Sequence, residues 1–155
     1  MNREMEVLIK NGTWEKCIIP EEKKPAGCRR IFTIKYKSDG LIERYKARLV
    51  AKGYTQTYGI DYSETFSPVT RIDTIRVLFS IASNQKWPLL QFDVKNAFLY
   101  GDLKEEVYME APPRYSHAFA KGQGCRLLKA LYGLKQSPRA WFGRFTMAMK
   151  KFGYS

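Results

Sequence analysis

Paired cysteines, histidine clusters, long apolar runs and acids beyond Glu110 are all missing from this 155-residue chain. The three cysteines, Cys17, Cys28 and Cys125, form no Cys-x-x-Cys pair, and His117 is the only histidine. That donor supply argues against a structural zinc site, and the odd thiols read as reduced, as in an intracellular chain of the cytoplasm or nucleus. No stretch approaches the ~18 apolar residues of a membrane span, and the opening MNREMEVLIK lacks the apolar core of a signal peptide. Asn11-Gly12-Thr13 therefore reads as a turn rather than a used glycosylation site. Gly-x-x-x-x-Gly-Lys and Gly-x-Ser-x-Gly patterns are absent, and "GQGCRLL" at 122–128 stops at two glycines of a possible Gly-x-Gly-x-x-Gly. A serine triad would have to use His117, in a loop-like segment just after "APPR".

Basic residues are abundant. Lys plus Arg number 27 against 15 Asp plus Glu, a net charge of +12, which favours a polyanionic partner such as nucleic acid or nucleotide phosphates. Residues 23–52 hold ten of the cations against only Asp39 and Glu43, and no acid follows Glu110. A charge run is also the ordinary signature of a solvated face, so the patch needs chemistry beside it before it means more.

Periodicity predicts an α+β domain with an antiparallel sheet and packed helices. A short helix over residues 2–10 ends at Asn11-Gly12, and an irregular segment with Pro20 and Pro25 follows. "RRIFTIKYK" and "ERYKARLVAK", joined by Ser38-Asp39-Gly40, predict a hairpin of basic strands. Its second strand sends Tyr45, Ala47, Leu49 and Ala51 to a packed face, and Lys46, Arg48, Val50 and Lys52 to a cationic one. "RIDTIRVLFSIASNQKW" predicts a helix with Asp73 at its N-cap and Ile75, Leu78, Phe79 and Ala82 in the core, stopped by Pro88. "EEVYMEAPP" and "CRLLKALYGLK" predict two more strands, the last running into a turn at Gly133. "QSPRAWFGRFTMAMKKFG" predicts a helix with Ser137 as N-cap, Pro138 at the first position, an apolar stripe of Trp141, Phe145, Ala148 and Phe152, and Gly153 just past its end.

Between the second helix and "EEVYMEAPP" lies "LLQFDVKNAFLYGD". Its apolar run predicts a strand buried on most of its surface, with Asp93 at the C-terminal end. A carboxylate beside an apolar run is costly unless it is exposed, paired or bound to a cation. Asp93 either caps the short turn through Asn96 or ligates a metal; spacing alone leaves both open.

Four segments in order, "NGTWE", "IERYKARLVAKGYTQTYGIDYSETFSPV", "FDVKNAFLYGDLKEEVYME" and "ALYGLKQSPRAWF", resemble the reverse transcriptase of copia-type LTR retrotransposons from residue 11 to the C-terminus. The resemblance implies a right-hand polymerase, with fingers over 1–85 and 113–136 and part of the palm over 86–112 and 137–155. It implies that Asp93 is the first catalytic, metal-binding aspartate, with the Val94 carbonyl beside it, and that Mg²⁺ or Mn²⁺ is the cofactor of a completed enzyme. Lys46 and Arg48 resemble fingers residues that neutralise an incoming triphosphate, with a one-residue ambiguity between them. Phe98 matches the ring that closes the nucleotide pocket against a sugar 2′-hydroxyl. In "LYGLKQSPRAWF", Gly133, Gln136, Ser137 and Pro138 become nucleotide-pocket candidates, and Lys52, Lys135 and Arg139 nucleic-acid contacts. The implied partners are an RNA template, a DNA primer, a deoxynucleoside triphosphate and the remaining Pol domains, with no membrane.

The resemblance is incomplete. The family's second catalytic motif is a Tyr-Val-Asp-Asp hairpin, and this sequence contains no Asp-Asp pair. Second hairpin, thumb, connection and RNase H are all expected to be lacking, as in an internal fragment. Arg30 stands in "GCRRIFT" where relatives commonly carry Trp, and Arg114 follows the Pro pair in place of Gly. The expected function is a reverse transcriptase fragment, inactive alone; a basic nucleic-acid-binding module without catalysis, or an expressed relic, is the alternative.

Overall fold

In the computed structural model, which describes residues 2–154, the helix expected at the start is α1, Asn2–Lys10. It closes where Asn11-Gly12 turns the chain, the Gly12 N–H bonding Ile9 O at 2.9 Å. Met5 and Leu8, one turn apart on one helical face, are buried. The next segment is not irregular throughout: Trp14–Ile18 forms a strand, β1. Its mixed, charged sequence shows little alternation, and it exists because a neighbouring strand offers an open edge.

The basic hairpin is present as β2 (Cys28–Tyr36) and β3 (Ile42–Ala51), antiparallel, with Thr33 opposite Lys46 and Ile31 opposite Arg48. In its turn the Leu41 N–H bonds Asp39 Oδ1 at 2.9 Å, the local bonding that suits Asp to turns. The alternation expected of β3 holds only at its base. Leu49 and Ala51 are buried, but Tyr45 is 76% exposed, because the outer half of the ribbon projects beyond the core.

β4 (Asp102–Met109) and β5 (Gln123–Lys129) complete a three-stranded antiparallel sheet in the order β1-β5-β4. An Ala26–Met109 bridge ties the hairpin to it, with the Ala26 N–H on Tyr108 O at 2.8 Å. Leu49, Leu99, Val107, Met109, Cys125, Leu127 and Leu131 fill the space between sheet, hairpin and α1.

α2, Ile72–Asn84, occupies the expected span, with Arg71 at the N-cap and Asp73 in the first turn instead. The core role of its stripe is corrected. Only Ala82 is buried, while Leu78 and Phe79 are 51% and 56% exposed, since no neighbouring element covers that face among the described residues. The strand expected at 89–94 is likewise not formed. No backbone hydrogen bond joins residues 88–95 to the rest of the described chain, and Phe92 is 74% exposed. A strand needs a neighbour for its N–H and C=O groups, and none lies alongside.

α3 spans Ser137–Lys151. Its cap is shifted by one residue: Gln136 takes the N-cap position, and Ser137 begins the helix with its hydroxyl donating to Leu131 O at 2.6 Å. The far end is as expected. Gly153 has φ +87°, its N–H bonds Lys150 O and that of Tyr154 bonds Met149 O, the paired closure that a glycine permits. No helix among the described residues is long and apolar enough to cross a membrane.

Candidate nucleotide and nucleic-acid site

The expected site residues fall into two groups. The first gathers around Tyr132, a residue the sequence did not single out. Its ring meets that of Phe98 edge-on, with centroids 4.9 Å apart and planes inclined at 64°. The Arg48 guanidinium lies 5.2 Å from the Tyr132 centroid. β3, the 3-10 turn Ala97–Tyr100 and the turn after β5 thus bring Arg48, Phe98 and Tyr132 into one stack, held by quadrupole and cation–π attraction. The signal available in the sequence was the tyrosine beside Gly133 in "ALYGLK", but an aromatic at a turn has no distinctive chemistry by itself.

Lys46 stands two residues from Arg48 on the same strand face. Its ammonium loses a proton more easily than an ordinary lysine. Partial burial is the largest cause, reinforced by the positive charges of Arg48, Arg44 and Lys35 and opposed by the Asp93 carboxylate. A cation held among cations is poised to accept an anion. Lys46, Arg48, Asn96, Leu99, Leu131 and Tyr132 border a pocket of about 190 Å³ between α1 and the edge of β3.

Asp93 is exposed and makes no hydrogen bond or ion pair with the described residues. It does not cap the turn at Asn96, whose side chain makes no cap bond and whose φ of +55° is the left-handed conformation that asparagine tolerates. Val94 follows in the same unpaired segment. Among the described residues no three His, Cys, Asp or Glu side chains come together as a metal centre. One free carboxylate fits a single ligand position for Mg²⁺, which takes one or two carboxylates plus phosphate oxygens, but the residues present do not amount to a site.

The second group holds segment 53–66 against the start of α3. Gln136 is buried; its amide accepts from Gln56 Nε2 at 3.1 Å and donates to the Asp61 carbonyl at 3.0 Å. Lys135 Nζ donates to the Tyr62 hydroxyl at 3.2 Å and sits 5.0 Å from that ring. Arg139 pairs with Glu64 at 2.7 Å and reaches the Phe66 carbonyl at 3.3 Å. Ser137 is buried on Leu131 O, and Pro138 is exposed on the outer side of the helix start. Gly133, φ +92°, lies against the end of β3, and a Cβ there would run into the Ala51 carbonyl oxygen. The Lys52 N–H bonds Gly27 O at 2.7 Å, and its side-chain carbons cover Gly27.

The structure thus brings together a hairpin with one cationic face, an aromatic stack at its base and a lone aspartate within its field. The chain belongs to the family described as reverse transcriptase (RNA-dependent DNA polymerase), which it matches over residues 11–155. Within that family its relatives are copia-type Pol polyproteins. It is 50% identical over 143 residues to the retrovirus-related Pol polyprotein from transposon RE1 of Arabidopsis thaliana, covering 92% of this chain and 10% of that protein. Identity is 47% over 154 residues with the Pol polyprotein from transposon TNT 1-94 of Nicotiana tabacum, covering 99% of this chain and 12% of that protein. With the transposon Ty1-ER2 Gag-Pol polyprotein of Saccharomyces cerevisiae it is 32% over 149 residues, covering 91% and 8%. The chain thus spans about a tenth of the length of these relatives. No solved structure matches it.

Proposed function

We propose that this chain is the nucleotide- and template-gripping part of an RNA-directed DNA polymerase, with residues 1–85 and 113–136 as fingers and 86–112 and 137–155 as part of the palm. The observation that carries the reading is the Arg48–Tyr132–Phe98 stack beside Lys46, built from three segments distant in sequence. Lys46 and Arg48 neutralise the triphosphate of a deoxynucleotide, and Phe98, held edge-on by Tyr132, closes the pocket on the sugar. Gly133, Gln136, Ser137 and Pro138 shape the pocket wall through the backbone, while Lys52, Lys135 and Arg139 border the path of RNA template and DNA primer. Asp93 and the Val94 carbonyl would hold one side of a divalent metal, which would supply positive charge to the phosphoryl group once further ligands completed the site.

Alone, the chain does not polymerise. Two-metal transfer needs carboxylates on both sides of an ion pair about 3.5 to 4 Å apart. The second set resides in the Tyr-Val-Asp-Asp hairpin of the resembled enzymes. Asp102, Glu105, Glu106 and Glu110, the only acids after Asp93, lie on β4 or just beyond it. The test is primer extension on an RNA template with Mg²⁺ or Mn²⁺, comparing this chain with a version continued through the second hairpin and the remaining Pol domains. Extension by the longer version, lost on Asp93→Asn, supports the reading; Asp93-dependent extension by the 155-residue chain overturns the claim that it does not polymerise alone.

The net charge of +12 favours a second reading that needs no catalysis, in which the chain binds nucleic acid as a basic module. Binding is then weak, indifferent to sequence and steeply salt-dependent through counterion release. Replacing Lys46, Arg48 and Lys52 together with Ala lowers the slope of log K against log salt by about 2 on single strands. An unchanged slope in a filter-binding or anisotropy titration removes this face from the site.

A further inference from the structure

Residues 88–95 join no backbone ladder among the described residues, so their N–H and C=O groups lack a protein partner. Their side chains nonetheless alternate as in a strand. Phe92 and Val94 line a cleft of about 570 Å³ against Trp141, Phe145 and Met149 of α3, whereas Asp93 between them does not border it. Leu89 and Leu90 are exposed, and neither reaches that cleft. An apolar strand without a neighbour is a template for another chain. Two residues bound it: Pro88 has no N–H to give a ladder, and Asn96, with φ +55°, leaves the extended conformation.

The stretch between these bounds fits a second copy of itself. In antiparallel pairing about a two-fold axis at Phe92, Pro88 falls opposite Asn96 of the second copy, so both breaks lie outside the ladder. On the cleft side Phe92 then faces Phe92, and Leu90 faces Val94 of the second copy; on the other side Gln91 faces Asp93 and Leu89 faces Lys95. An amide meets a carboxylate, and no like charges are opposed. The neighbouring two-fold registers are worse: centring on Asp93 sets two carboxylates opposite each other, and centring on Gln91 draws Pro88 into the ladder opposite Val94. Because the axis stands perpendicular to the ribbon, both copies keep their cleft side chains on one side, and Leu90 gains an apolar neighbour that its own copy does not supply.

We infer that residues 89–95 are a self-association site, through which two copies of this chain pair as an antiparallel ribbon over both α3 clefts. The contact uses the same patch on each copy and so stops at two. A net charge of +12 on each copy opposes it, so the dimer strengthens as salt is added, the reverse of nucleic-acid binding through released counterions. The inference is independent of the nucleotide chemistry proposed above.

The experiment is sedimentation equilibrium of the full chain over a wide range of concentration and at two salt levels. A reversible monomer–dimer equilibrium that tightens with salt is expected; a monomer throughout, or a dimer that salt dissociates, overturns the proposal. Gln91→Pro removes an N–H from the centre of the ribbon and no backbone bond from the monomer. It is expected to weaken the dimer roughly tenfold, and unchanged self-association overturns the proposal. Register is read by mild oxidation of Phe92→Cys, which sets two thiols opposite each other at a Cα separation of about 4.5 to 5.5 Å, within disulfide reach. Cross-linked dimer is expected in excess of that from the unmodified chain and from Gln91→Cys; equal or greater cross-linking by Gln91→Cys overturns the pairing. Should Gln91→Pro fail to fold, amide exchange of the unmodified chain decides: residues 89–95 exchange freely when dilute and gain protection as concentration rises, and protection that never rises overturns the proposal.

Discussion

Tyr132 carries no charge and no reactive atom, yet it touches both Arg48 and Phe98. Removing its ring in Tyr132→Ala frees Phe98 to rotate and unseats the guanidinium. In a completed polymerase, discrimination between deoxy- and ribonucleotides is expected to fall about fivefold, while Tyr132→Phe keeps it, because aromatic and cation–π contacts of this kind are worth about 1 kcal/mol. Competitive incorporation assays read that ratio directly. The cysteines make a separate point. Burial holds the Cys28 thiol up to about 11 and that of Cys125 up to about 12, with the neighbouring Glu110 and Cys28 adding to it respectively. Both pKa values are raised in the folded chain, so their contribution to stability is present below the ordinary thiol pKa and is lost as pH rises. Above pH ~9 the unfolded chain releases these protons while the folded one keeps them. Urea melts at pH 8 and pH 10 are expected to show a drop that shrinks in Cys125→Ala.

Among the elements, protection should divide sharply. Amides of β4, β5 and the base of β3 lie in the core ladder, whereas residues 88–95 carry no backbone–backbone bond among the described residues and α2 buries only Ala82. Hydrogen exchange is expected to find 88–95 almost unprotected, α2 weakly protected, and β5 slowest. Slow exchange across 88–95 would mean that a partner strand is present after all. The hairpin, α1 and the closure of α3 at Gly153 were legible in the sequence because each depends on local chemistry: alternation, a turn built on Asp39-Gly40, and a left-handed glycine. β1 was not legible, since Trp14–Ile18 becomes a strand only by pairing with β5. Nor was the fate of α2 or of 89–94, for apolar periodicity states that a surface wants cover without saying whether anything supplies it. The site divides the same way. Lys46, Arg48, Asp93 and Phe98 announce themselves by charge or motif, whereas Tyr132 joins them only through a contact across 34 residues of chain.

At the scale of the whole molecule, two large surfaces compete. One is the cationic hairpin; the other is the apolar cleft in which Phe92, Val94 and Tyr100 face Trp141, Phe145, Met149 and Phe152. The stripe expected on α3 thus lines a cleft instead of a closed core, and together with α2 it leaves more apolar surface in water than a small domain ordinarily tolerates. A net charge of +12 keeps copies apart only while it is felt, and the screening length shrinks from ~10 Å at 0.1 M salt to ~3 Å at 1 M. Light scattering is therefore expected to rise with added salt, and thermal unfolding to be broad and poorly cooperative. A sharp two-state melt of a monomer that stays clear at 0.5 M salt would contradict this.

The turn at Gly133 sits against the end of β3: the Ala51 N–H bonds Tyr132 O at 2.8 Å, and a Cβ on Gly53 would strike the Gly133 carbonyl oxygen. Two backbones with no side chain between them cannot slide or tilt without collision. The crossing therefore works as a rivet at the root of the β2–β3 ribbon, and any swing of the ribbon has its fulcrum farther out, where both strands leave the core. Gly133→Ala removes the rivet by force, at an expected cost of about 3 kcal/mol from strain and overlap together. Denaturant titration measures that loss. The ribbon then acts as a lever: its outer part can bend while its root keeps Arg48 stationed over Tyr132.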